Sequence, residues 1–214
     1  MKKLLIATMA VVLALGMAVS AEATVIAPGG STVPADTTSP GSGDPILASI
    51  IGAAFLVEDA VGNDILGGTY STWVRQDADG FLVFEYSFTV DTEFVDGDAI
   101  SAVTMASFMD WTTDVGADDL GTNYPSLIDR SGGGATVRFN YAGDEAVGMG
   151  DSSALMWIKT NAMNYTAGSF QLLDGGVDTV AAFAPTIIPE PTSMVLFGTG
   201  LLGFAGRMRK KFKA

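Results

Sequence analysis

Leu82, Phe84, Tyr86, Phe88 and Val90 recur at every second position with Glu85, Ser87 and Thr89 between them. That alternation is the mark of a strand with one buried face. Asp77-Ala78-Asp79-Gly80 supplies turn residues just before it, and Tyr70 to Arg75 alternates on the other side of the turn, so the pair reads as a hairpin. Ile46 to Val57 is apolar and β-branched, followed by turn residues at Val61-Gly62-Asn63-Asp64. Further strands are expected at 99–108, 135–141, 154–160, 167–173 and 177–183, with a tight turn at Asp174-Gly175-Gly176. About eight short strands with no helical period between them predict an all-β fold, an antiparallel β-sandwich of jelly-roll or immunoglobulin-like kind. Residues 111–134 break the pattern and read as a long loop with a helical turn around Tyr124 to Ile128.

The two ends of the chain follow a different logic. Lys2 and Lys3 precede an apolar run from Leu4 to Val19 and a stretch of small residues, which together read as a helical secretory signal over 1–23. Residues 24–45 are rich in Pro, Gly, Ser and Thr and are expected to form a flexible linker ahead of a folded ectodomain at 46–188. Residues 189–214 hold Pro189-Glu190-Pro191, an apolar run that starts at Thr192 and extends as a transmembrane helix to about 208, and the basic side chains Arg207, Arg209, Lys210, Lys211 and Lys213. Two prolines hold the peptide extended, the apolar run enters a bilayer and the cations stay behind on its cytoplasmic side. The 14 residues from Thr192 to Ala205 would span roughly 21 Å as a helix, less than the ~30 Å hydrocarbon core of a bilayer. Such a short, glycine-rich span suits a transient anchor. Within it Gly198 to Gly203 spells G-x-G-x-x-G, but no βαβ unit surrounds it, so it does not read as a dinucleotide site.

The tripeptide, the glycine-rich apolar run and the basic terminus resemble the PEP-CTERM sorting signal. That family occurs in Gram-negative bacteria that make exopolysaccharide, and its signal is read by an exosortase. The resemblance implies signal peptidase and exosortase as processing partners, an inner-membrane-anchored precursor, and a final place at the cell surface or outside the cell. The ectodomain in turn is similar to an uncharacterised group of exported, β-rich PEP-CTERM surface proteins through Gly68 to Val74, Asp129 to Gly134 and Thr160 to Gly168. That likeness implies fold class and location and carries over no catalytic residues.

Composition narrows the chemistry. Residues 24–188 carry 22 acidic side chains against four basic ones, Arg75, Arg130, Arg138 and Lys159, for a net charge of −18. Such a surface repels nucleic acid. The chain has no cysteine and no histidine, which removes disulfides, thiol and Ser-His nucleophiles and the usual zinc and haem ligands. A carboxylate pair drawn from Glu58, Glu85, Glu93 or Glu145, or a Ser–Lys arrangement at Lys159, would be needed for hydrolysis, and the expectation is a protein that is not an enzyme.

Two candidate sites remain. Asp91, Glu93, Asp96 and Asp98 crowd four carboxylates into eight residues; calcium would relieve their repulsion, and solvated turns are the alternative. Trp111 and Tyr124, in the expected long loop, are candidates for stacking on polysaccharide, whereas Trp73 and Trp157 lie in strand patterns and are expected in the core. The function expected is structural or adhesive, in an exopolysaccharide layer. The alternative is a carbohydrate- or calcium-binding module.

Overall fold

The computed structural model describes residues 24–187 apart from Ala35 and Asp119. Among the described residues there are twelve strands and one short 3-10 turn, Gly143–Glu145. The strands are β1 (Thr24–Val25), β2 (Ser31–Thr32), β3 (Ile46–Glu58), β4 (Asp64–Gln76), β5 (Leu82–Glu93), β6 (Ala102–Ala106), β7 (Thr113–Asp118), β8 (Leu127–Arg130), β9 (Thr136–Asn140), β10 (Leu155–Thr160), β11 (Asn164–Asp174) and β12 (Gly176–Thr186). The fold is all-β and its ladders are antiparallel.

Instead of two packed sheets, the strands form one sheet in the order β1-β7-β10-β5-β4-β3-β12-β11-β6-β9-β8-β2. It curls nearly into a barrel. Phe88 on β5 and Phe170 on β11 have three strands between them in that order, yet their rings meet with centroids 6.3 Å apart. A flat sheet could not bring them together. Closure is made by the segment that begins the described chain: β1 pairs with β7 and β2 with β8, so one short peptide ties the two free edges together. Joining the edges hides backbone groups that would otherwise template pairing with other chains.

The alternation along β5 sets the interior. Phe84, Tyr86, Phe88 and Val90 are at most 2% exposed and face one continuous core. Phe88 meets Phe55, Tyr141 and Phe170 edge-on or tilted, and Phe84 meets Phe108 at 5.7 Å. Burial raises the pKa of the Tyr86 and Tyr141 hydroxyls far above the ordinary range. The ring is loosest between β3 and β12, which share a single ladder position at Val177 and Glu58. There Leu56 N donates to the Asp178 carboxylate at 2.8 Å, and the Tyr86 hydroxyl reaches across the interior to the Phe183 carbonyl at 3.1 Å.

Two sequence expectations are corrected. Residues 111–134 are not one long loop, because β7 and β8 lie inside them, and the expected helical turn gives way to β8, which pairs with β9. Residues 24–45, expected to be a tether, are fastened to the sheet through β1, β2 and the buried side chains of Ile26, Thr37 and Ser39. The hairpin of β4 and β5 and the tight turn between β11 and β12 stand where the turn residues put them; Gly80 and Gly175 sit at φ 85° and 58°, where a side chain would be strained. The signal segment 1–23 and the sorting segment with Pro189, Glu190, Pro191, Arg207, Arg209, Lys210, Lys211 and Lys213 fall outside the described residues. Among the described residues no helix is long and apolar enough to cross a membrane.

Candidate functional site: an outer cleft beside Trp73

On the outer face of the barrel, ladder register sets Gly116 (β7), Trp157 (β10), Glu85 (β5) and Trp73 (β4) in one row. The segment 36–44 crosses this row. Trp157 Nε1 donates to the Thr37 carbonyl at 3.1 Å, the Ser39 hydroxyl donates to Glu85 at 2.5 Å, and Arg75 Nη1 donates to the Asp44 carbonyl at 2.9 Å. Glycine is required at 116, since a Cβ there would lie 2.3 Å from the Trp157 ring. Under this cover Trp157 is fully buried, but on the outer face and not in the interior core where its strand pattern put it, and Val83 and Glu85 are buried although they point away from the core.

The cover stops short of Trp73. That side chain is half-buried and, contrary to the expectation that it belongs to the core, lines a surface cleft of about 380 Å³ with Arg75, Glu85, Ser87, Thr89, Leu120 and Ser152 among its walls. Arg75 Nε pairs with Glu85 at 2.7 Å in the floor, and the Thr89 and Ser152 hydroxyls lie 2.8 Å apart. One indole, a guanidinium with exposed edge and several hydroxyls make a surface that can accept the apolar face and the hydroxyls of a sugar. Both oxygens of Glu85 are already engaged, by Ser39 and by Arg75.

The residues singled out from sequence are dispersed. Trp111 stands before β7 and lines a second cleft of about 380 Å³ with Val25, Pro28, Asp110 and Arg130. Tyr124 stands beyond the other end of β7; its hydroxyl donates to the Ala117 carbonyl at 3.0 Å and its backbone N to Glu145 at 3.3 Å. They therefore do not form one stacking platform. Beside Trp111, the buried Arg130 donates to the carbonyls of Ile26, Phe108, Trp111 and Gly134 at 2.8–3.1 Å, and burial lowers its pKa. Asp91, Glu93, Asp96 and Asp98 ring one loop, in which Glu93 accepts from Gly97 N at 2.5 Å and Asp91 from the Thr92 hydroxyl at 2.9 Å. Among the described residues no three acidic side chains gather as a cation would need. Lys159 pairs with Asp77 at 2.7 Å, away from the Trp73 cleft. Sequence reasoning passed over Trp73 because an alternating strand does not say which of its faces a later segment will cover.

The profile of the PEP-CTERM protein-sorting motif matches residues 188–210. The chain is a PEP-CTERM protein. As a PEP-CTERM protein it is a substrate of exosortase, made as a membrane-anchored precursor and exported to the surface. The matched segment begins two residues after β12 ends at Thr186, so this PEP-CTERM protein carries its sorting motif directly on the last strand of the barrel. Neither a curated protein nor a solved structure matches the chain.

Proposed function

We propose that this PEP-CTERM protein is a non-enzymatic, adhesive component of an exopolysaccharide layer around a Gram-negative cell, and that it holds polysaccharide strands in the Trp73 cleft. The observation that carries this reading is the half-buried Trp73 in a cleft walled by Arg75, Ser87, Thr89 and Ser152. An indole beside hydroxyls and a guanidinium suits a neutral sugar chain, and the surface charge of the rest of the domain disfavours polyanions such as nucleic acid. The absence of histidine and cysteine and the engagement of both Glu85 oxygens support a binding rather than a hydrolytic role.

Affinity electrophoresis of the mature domain through gels containing the producer's own polysaccharide tests it. Retardation that disappears in Trp73→Ala, with an unchanged melting temperature, is the expected result. Retardation equal to that of the parent, or lost only when Trp111 is replaced, would overturn the assignment to this cleft.

A further inference from the structure

The route by which the chain leaves the barrel constrains how the precursor sits on its membrane. β12 ends at Thr186, and the apolar run of the sorting segment begins at Thr192. Six residues reach about 20 Å even when fully extended. A strand as long as β4, 13 residues, rises about 43 Å along its own axis, or roughly 33 Å along the axis of a barrel with ordinary tilt. The tether is thus shorter than the barrel is tall.

Register identifies the end from which the tether leaves. Thr186 pairs with Asn164, Ile46 with Arg75, Thr113 with Thr160 and Ala106 with Thr136. At this end Ile46, Leu47, Met109, Met163 and Ile187 are each at least 41% exposed. Its charges are mixed: Asp44, Asp77, Asp79, Asp110 and Asp114 stand with Arg75 and Lys159. The far end is different. Its segments 58–64, 91–98, 144–151 and 174–178 hold twelve carboxylates and no lysine or arginine. Anionic lipid would repel that rim far more than the apolar end, whose fewer carboxylates are partly offset by Arg75 and Lys159.

We propose that in the anchored precursor the end bearing Ile46, Leu47, Met109, Met163 and Ile187 rests on the lipid surface, with the acidic rim held outward. The occupant of this apolar end is the bilayer itself. Its short tether, the exposed side chains around the exit point and the one-sided distribution of carboxylates all favour this orientation. The Trp73 cleft, on the side of the barrel, stays open to solvent in that pose.

The cysteine-free chain makes a direct test simple. Full-length precursor bearing one cysteine in place of Met109, Met163, Val61 or Leu201 is labelled with a fluorophore and inserted into phosphatidylethanolamine–phosphatidylglycerol vesicles containing headgroup-spin-labelled lipid. Labels at 109 and 163 should lose most of their emission, and the label at 61, on the acidic rim, should keep it. The Leu201 label, within the sorting run, reports insertion. Equal quenching at 61, 109 and 163, or none at 109 and 163 while 201 is quenched, would overturn the seating. Absence of quenching at 201 would remove the anchored precursor, and the proposal with it.

Discussion

The indole N–H of Trp157 donates to the carbonyl of Thr37 at 3.1 Å, joining the middle of the sheet to a peptide 120 residues earlier. Beside it the Ser39 hydroxyl donates to Glu85, a carboxylate only 2% exposed. A segment with almost no apolar side chains is thus held in place by polar partners that the sheet has already buried. It gains order from hydrogen bonds whose loss would strand a charge and an indole donor away from water.

Removing the Ser39 hydroxyl should therefore be costly for an exposed-looking serine. Ser39→Ala is expected to destabilise by about 1–3 kcal/mol, because Glu85 loses a donor it cannot replace with solvent. Deletion of 24–45 should cost more and shift tryptophan emission to the red as Trp157 becomes hydrated. Urea unfolding followed by fluorescence measures both, and a deletion that leaves stability and emission unchanged would show the segment to be a free tether.

Gly116→Ala separates packing from backbone freedom. The new Cβ would sit 2.3 Å from the Trp157 ring and 2.7 Å from the Thr37 hydroxyl, so the indole and the segment above it must move. Overpacking of this kind typically costs ~1–3 kcal/mol. Gly62→Ala, at φ 87° with open space around it, should show only the backbone cost of about 1–2 kcal/mol. Thermal unfolding of the two variants, with loss of Trp157 near-ultraviolet dichroism only in Gly116→Ala, is the comparison to make.

Arg130 holds together the ends of the ring. Its guanidinium donates to four backbone carbonyls from three separate segments, and Arg130→Met fills similar volume while removing all four bonds. A loss of about 2–4 kcal/mol is expected. Hydrogen exchange should rise first at Ile26 and Gly29, whose amides bond to Thr113 and to Arg130 and Ser131 across the closure.

Two aspartates near Lys159 should respond to pH in opposite senses. Burial raises the Asp114 pKa above its ordinary 3.8, outweighing Lys159 and the Val115 amide. Its charged form is the disfavoured one, so Asp114→Asn should stabilise the domain at pH 7, with the gain shrinking as the parent protonates on the way down to pH 3.8. For Asp77 burial also opposes the charge, but the Lys159 pair and the Phe81 and Asp79 amides together lower its pKa. Asp77→Asn should destabilise at pH 7, and that loss should fade only as pH falls below 3.8 through the depressed value. Melting curves from pH 3 to 8 check both signs; parallel curves for the two variants would refute the assignment.

Processing is the last test. The Pro189-Glu190-Pro191 tripeptide follows β12 after only Ile187 and Ile188, so exosortase must work close to a folded strand. In a host with exosortase the mature protein should lack Arg207 to Ala214, and Glu190→Ala should accumulate as precursor in the membrane. Inserting a Gly/Ser spacer after Ile187 should speed processing by relieving crowding. Intact mass spectrometry reads all three, and an unprocessed C-terminus in the parent would sink the scheme.

The chain alone determined the elements whose signal is local. The hairpin of β4 and β5, the strands from Leu155 onward and the C-terminal sorting motif could be read because alternation, turn residues and charge asymmetry act over a few neighbouring residues. β7 was hidden, since Thr113 to Asp118 packs beneath Trp157 and a crossing peptide and therefore uses small residues with little strand character, such as Gly116 and Ala117. β8 was too short to announce itself. The tertiary structure decided the rest: that one sheet closes on itself instead of splitting in two, that residues 24–45 complete it, and that Trp157 is covered while Trp73 is not. These outcomes depend on partners more than a hundred residues apart, as Ile26 and Arg130 or Thr37 and Trp157 are. Only the curled sheet brings such pairs within hydrogen-bonding distance, and no window along the sequence contains both.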